Sequence, residues 1–204
     1  MKKLFLVLAV ILAGCEDSST KNESLDLTFI STEGNFGSSN GSVSVFRSGK
    51  LIQEVRDIGD VVQSILVHNE KLFVLVNNSH LIKVFQISDD GLELPGISVS
   101  TEGSSPREMV VENNKLYFTN YYTQDVKVLN LSTYYIEDSI PLDGLPESIV
   151  SDGTNLWVAI NMNADYSSAS SVVKINIESG KVAKDYEVGK GAQHLLIDEA
   201  NLWA

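Results

Sequence analysis

The chain has 204 residues, 27 acidic against 15 basic, a formal net charge of −12 and 43% hydrophobic residues. So acidic a surface repels phosphate backbones and anionic head groups, which argues against nucleic acid as a partner. With Cys15 as the single cysteine, an internal disulfide framework is excluded.

Lys2 and Lys3 precede an apolar run from Leu4 to Leu12, too short to span a bilayer but ordered like a secretory signal. The run ends in "LAGC", Leu12 to Cys15, which resembles the lipobox of bacterial lipoproteins. That resemblance implies removal of residues 1–14, lipidation of Cys15 and a cell-envelope location. The outer membrane is implied because Glu16, not Asp, follows the cysteine, and the acidic pair Glu16-Asp17 resembles surface-export signals of some gut bacteria. Loss of Lys2 and Lys3 takes the formal charge from −12 to −14, so membrane attachment is expected through the lipid alone. Residues 15–24 contain no aliphatic or aromatic side chain after Cys15 and read as a tether.

The rest, 25–204, is repetitive. Leu72-Phe73, Leu116-Tyr117, Leu156-Trp157 and Leu202-Trp203 are one recurring element, spaced 44, 40 and 46 residues apart. Eight residues before these leucines stand Ser64, Glu108, Ser148 and His194, each followed by an apolar pair. A third landmark recurs in "IKVFQI", "VKVLNL" and "VVKINI". Alternation dominates and no helical periodicity is sustained after Leu12. Periods of this size with about four short strands each predict an all-β fold, a β-propeller of four-stranded antiparallel blades. The expected blades are 25–60, 61–104, 105–144, 145–191 and a start at 192–204. They read as an incomplete arc of about four blades from a longer propeller of seven or eight.

In blade order the strands run A to D outward from the axis. From the B-strand leucine to the start of strand C is 10 residues in two blades, but 16 from Leu156 to Val172 and 16 from Leu27 to Val43. Two B-to-C loops are therefore predicted to be long: "EGNFGSSNGS" and "NMNADYSSASS". Each carries an aromatic, Phe36 or Tyr166, followed within two residues by Ser-Ser. B-to-C loops and D-to-A connections open on one edge of a propeller, and insertions sharing a face mark a binding side or a tolerated surface. At the axial mouth the pairs Gln63-Ser64, Arg107-Glu108, Glu147-Ser148 and Gln193-His194 are polar in every blade yet chemically different. Such a ring suits an asymmetric ligand, or simply a wet channel.

The region from Leu116 to Val150 resembles the repeat of the YVTN family of β-propellers, with "YFTN" at the signature position. The opening "STEGNFGSSNGSVSVF" resembles the first blade of surface propeller lipoproteins of gut bacteria, a group that includes cobalamin-binding members. That resemblance implies a corrinoid as a candidate ligand.

Catalytic constellations are not found. His68, His80 and His194 belong to different blades without a zinc-ligand pattern. Asn161, Asn163 and Asp165 match the first ligand spacings of an EF-hand, but Tyr166 takes the glycine position and Val172 the terminal glutamate position, so that site is rejected. No metal site and no cofactor are expected. The reading is a non-catalytic binding module for a small molecule or an outer-membrane or surface protein. The expected face carries Asn35, Phe36, Asn77, His80, Arg107, Tyr121, Tyr122, Glu147, Asn163, Tyr166, Gln193 and His194. Two alternatives stand beside it: a lactonase- or quinoprotein-like propeller enzyme, and a structural scaffold of the cell envelope.

Overall fold

A computed structural model describes residues 26–204. The lipidation expected at Cys15 and the tether lie outside the described residues. The elements are β1 (Leu27–Thr32), β2 (Ser42–Arg47), β3 (Lys50–Val55), β4 (Val62–His68), β5 (Lys71–Val76), β6 (Leu81–Ser88), β7 (Gly91–Leu92), β8 (Ile97–Ser100), β9 (Pro106–Glu112) and β10 (Lys115–Asn120). They continue as β11 (Asp125–Asn130), β12 (Ile136–Pro141), β13 (Leu145–Ser151), β14 (Asn155–Met162), β15 (Ser168–Asn176), β16 (Lys181–Glu187), β17 (Leu196–Asp198) and β18 (Asn201–Trp203).

These strands form successive antiparallel blades: β1-β2-β3, then β4-β5-β6-β8 with the short β7 also on β6, then β9 to β12, β13 to β16, and the pair β17-β18. The chain is an all-β propeller arc. The A strands β4, β9 and β13 neighbour one another along its inner side. The last A strand, β17, pairs with β18 and begins a blade of its own; β1 pairs with β2.

The continuous apolar B strands follow from this stacking. A middle strand of a blade has a neighbouring blade on each face, so both sets of alternating side chains must be apolar. On β5, Leu72, Val74 and Val76 pack with Val43 and Val45 of the first blade. Phe73 and Leu75 turn the other way, onto Met109, Leu116 and Phe118 of the third. On β10 the alternation repeats, with Tyr117 joining Leu156 and Val158 of the fourth blade. Each fully buried aromatic or leucine here contributes roughly 1.5–3 kcal/mol of transfer free energy. The outermost β16 has no such second neighbour, and its residues are almost all exposed.

One feature differs from the sequence expectation, and a second was not addressed by it. The insertion in the fourth blade is not a free loop: β14 runs on to Met162 and β15 starts at Ser168, leaving 163–167 as the turn. Met162 pairs with Ser168, so cross-strand hydrogen bonding continues through most of the inserted residues. The second blade has an excursion between strands C and D, where β7 forms. That excursion closes on the first blade through Gln53, whose amide donates to Leu92 O at 2.9 Å and accepts from Leu92 N–H at 2.7 Å.

Candidate functional site

The B-to-C connections 33–41, 77–80, 121–124 and 163–167 all lie on one edge, because every blade has the same antiparallel order. The D-to-A connections reach the same edge. These turns therefore share one surface, and members of the predicted face form contacts across the boundaries between the second and third blades and between the third and fourth.

At the inner side, Arg107 on β9 joins three blades. Its Nε donates to Glu147 Oε1 and Oε2 at 2.9 and 3.1 Å, and its Nη2 to Oε1 at 2.5 Å. Its Nη1 donates to Gln63 Oε1 at 2.9 Å. The guanidinium also lies 5.4 Å from the centre of the Tyr121 ring. A planar guanidinium with five donors suits such a fork, and Glu147 is only 8% exposed. Arg107, Glu147 and Tyr121 are thus brought together. The guanidinium is engaged by the protein itself, where the sequence reading treated the mouth residues as contacts for a ligand.

Thr119, which the sequence reading missed, braces the same boundary. Its hydroxyl donates to Glu147 O at 2.7 Å and accepts from Glu108 N–H at 3.1 Å, with no exposed surface. Burial first, then the like charge of Glu147, push the Glu108 carboxyl above its usual range, while His194 and Arg107 pull it down. Burial, and then Glu147, likewise raise the Tyr121 phenol, with Arg107 opposing and Tyr166 adding to the rise. The Tyr121 hydroxyl meets Met162 Sδ at 3.2 Å.

Further along the arc, His80 packs against Tyr122 with ring centres 5.8 Å apart and the planes tilted by 53°, and its Nδ1 accepts from Ser105 N–H at 3.0 Å. Asn77 Nδ2 donates to Pro106 O at 2.9 Å. These are contacts between the second and third blades.

The Phe36 loop is held by a residue that nothing in its local sequence singles out. Asp60, 6% exposed, accepts from Gly37 N–H through both oxygens at 2.9 and 3.0 Å and from Asn78 Nδ2 at 2.6 Å. Asn40 Oδ1 caps Asn35 N–H at 2.7 Å. Gly34 takes φ +83°, and a Cβ there would stand 2.6 Å from Asn40 Oδ1, so this turn needs glycine. The fixed loop leaves Phe36 79% exposed. Tyr166 is 66% exposed at φ +65°, a region that costs a bulky residue on the order of 1 kcal/mol. Its turn is closed by Tyr166 N–H to Asn163 O at 2.9 Å and Asn163 N–H to Ser167 O at 2.8 Å. Asn163 and Asp165 side chains both bond Ser167. Among the described residues no group of three or more His, Cys, Asp or Glu side chains is placed to hold a metal ion.

Gln193 and His194 are exposed and stand apart from Tyr121 and Tyr122. They line a shallow depression with Val188, Lys190 and Ala204 just before β17. His194 is nevertheless close enough for its charge to act on Glu108.

The class defined by these features is a β-propeller carrying a polar and aromatic face on its B-to-C edge. No protein-family model matches the chain, and no curated protein sequence matches it. Solved structures do resemble it. A provisional 6-phosphogluconolactonase from Bacteroides uniformis shares 10% identity at a TM-score of 0.65, over 81% of this chain and 55% of that one. The WD40 β-propeller domain of Doa1 shares 12% at 0.59, over 78% and 54%. The dihydro-heme d1 dehydrogenase NirN shares 15% at 0.64, over 83% and 38%. The chain thus spans about half the length of these proteins or less. At such identities the likeness is one of fold.

Proposed function

We propose that this chain is a non-catalytic binding lipoprotein, attached to the cell envelope through Cys15, that captures a small molecule on the B-to-C edge. The observation that carries the reading is the presentation of Phe36, Tyr122 and Tyr166. All three are more than 60% exposed on one edge, and the turns bearing Phe36 and Tyr166 are tied by hydrogen bonds. Exposed aromatic rings on fixed turns offer flat apolar area without an ordering cost at binding. Around them, Asn35, Asn77 and Asn163 supply donors and acceptors that orient a ligand. The resemblance of the first blade to cobalamin-capturing propellers makes a corrinoid the first ligand to test, and a surface protein the other partner class.

The test is a small-molecule screen on the full chain, followed by ultraviolet-visible or fluorescence titration with cyanocobalamin. Binding that disappears in the triple variant Tyr121→Ala, Tyr122→Ala, Tyr166→Ala supports the site. Tight binding that survives the triple variant moves the site elsewhere.

A propeller enzyme is the second reading, favoured by one observation: Glu108 is half-buried, with a raised pKa, beside Glu147 and His194. Hydrolysis of a simple lactone, lost in Glu108→Gln, supports that reading; equal rates in parent and variant exclude Glu108 from it.

A further inference from the structure

We infer that the ligand of the B-to-C edge is an uncharged oligosaccharide lying along the arc across blade boundaries. The inference rests on the binding reading above and names its ligand class. Three observations carry it.

The first is continuity. Gly37 of the Phe36 loop bonds Asp60, which bonds Asn78 in the next B-to-C turn. In that same turn His80 packs against Tyr122 of the third blade. Tyr121, beside it, reaches Met162 of the fourth, at the base of the turn that presents Tyr166. Exposed aromatics therefore stand on the first, third and fourth blades along one linked rim, with His80 of the second between them. A ligand that uses them together must be extended.

The second is charge. Arg107, the cation at the centre of the rim, is already engaged by Glu147 and Gln63. Arg56 is paired with Glu54 at 2.5 Å, and Lys190 stands at the far end, past the fourth blade. Glu33, Asp143 and Asp165 lie in the connections of the same edge, as does Glu102, which Lys127 pairs at 3.0 Å, within a chain of net charge −12. A polyanion would meet repulsion here without a free central cation.

The third is the pairing of side-chain types. Sugar rings offer apolar C–H faces, which pack on aromatic rings, and edges dense in hydroxyls, which suit planar amides, able to donate and accept at once, and carboxylates, which accept from hydroxyls. Phe36 is flanked by Asn35 and Asn40, and Tyr166 by Asn163 and Asp165. Phe36 and Tyr166 thus each have beside them in sequence the amide or carboxylate groups that saccharide hydroxyls need.

Isothermal titration calorimetry of the full chain tests this with linear hexasaccharides of glucose, mannose and xylose, glucose itself, a hexagalacturonate and cyanocobalamin. The expected result is that a neutral hexasaccharide binds at least tenfold more tightly than glucose. Phe36→Ala and Tyr166→Ala each weaken it by fivefold or more, with circular dichroism unchanged. Hexagalacturonate binding as tightly as the neutral chain, glucose binding as tightly as a hexasaccharide, or no binding by any of the three neutral hexasaccharides overturns the inference. Cyanocobalamin binding alone, lost in the same variants, overturns the saccharide class while the binding reading stands. No probe here and no compound in the broader screen depending on this edge removes both.

Discussion

Arg107 on β9 holds the Glu147 carboxylate on β13 through both oxygens, across 40 residues of sequence, and the same guanidinium reaches Gln63 on β4. One side chain thereby fixes the relative placement of three A strands. The Arg107 side chain is 28% exposed and that of Glu147 11%, so the pair is partly shielded from water and is more than a surface ion pair.

Replacing Arg107 by Met leaves a buried carboxylate without its donors. Unfolding in urea is expected to show a loss of about 2–4 kcal/mol, with Glu147→Gln in the same chain restoring part of it. A double-mutant cycle checks this; additive losses would mean that the two side chains do not act as a pair.

Asp60→Ala removes the acceptor for Gly37 N–H and Asn78 Nδ2. Each bond contributes about 0.5–1.5 kcal/mol, somewhat more with the charged acceptor. Amide hydrogen exchange is expected to quicken across 33–41 while β5 stays protected. Unchanged exchange at Gly37 would show that the loop is held by other contacts.

Tyr166→Asn places a residue tolerant of positive φ where tyrosine is held at +65°. Stability is expected to rise by up to about 1 kcal/mol, while ligand binding on the B-to-C edge falls. A thermal melt and a titration on one sample read both quantities. A variant that is less stable than the parent would show that the ring contributes packing that outweighs the backbone strain.

Glu108 gives a pH dependence whose sign is fixed by its raised pKa, due to burial first and Glu147 second. Between the ordinary carboxyl value of 4.5 and the raised one, the folded chain holds a proton that the unfolded chain has lost. The stability from this group is therefore present below the ordinary value and lost as pH rises through the raised one. Glu108→Gln removes that loss, so its melting temperature relative to the parent is expected to be higher near about pH 7.5 than near about pH 4. Equal differences at the two pH values would show that the carboxyl is not perturbed.

Cys15→Ala is expected to abolish incorporation of labelled palmitate and to leave the chain unprocessed or soluble. Retention of the parent's detergent partitioning after signal cleavage would exclude lipid attachment at Cys15.

The blade repeat could be read from the sequence because it is imposed locally. A strand sandwiched between two blades must be apolar on both faces, so "KLFVLV" and "KLYFTN" declare themselves wherever they occur. Turn lengths then placed Phe36 and Tyr166 on a common edge, and the equal eight-residue offsets aligned Arg107 and Glu147 near the axis. What those residues touch was decided only by the fold. Gln63, Arg107 and Glu147 meet because successive blades are rotated about one axis, and separations of 40 and 44 residues leave no local pattern for such a meeting. Asp60 reads as an ordinary turn residue until the packing of the first two blades closes over it and points Gly37 and Asn78 at its oxygens. The inserted stretch 161–171 could have been a loop by composition, but hydrogen bonding along β14 and β15 extended two strands through most of it, since an unpaired backbone beside an existing ladder gains by joining it. Periodicity thus sets the strands and their faces, while the partners of the polar side chains are set by the geometry between blades, which no single blade's sequence contains.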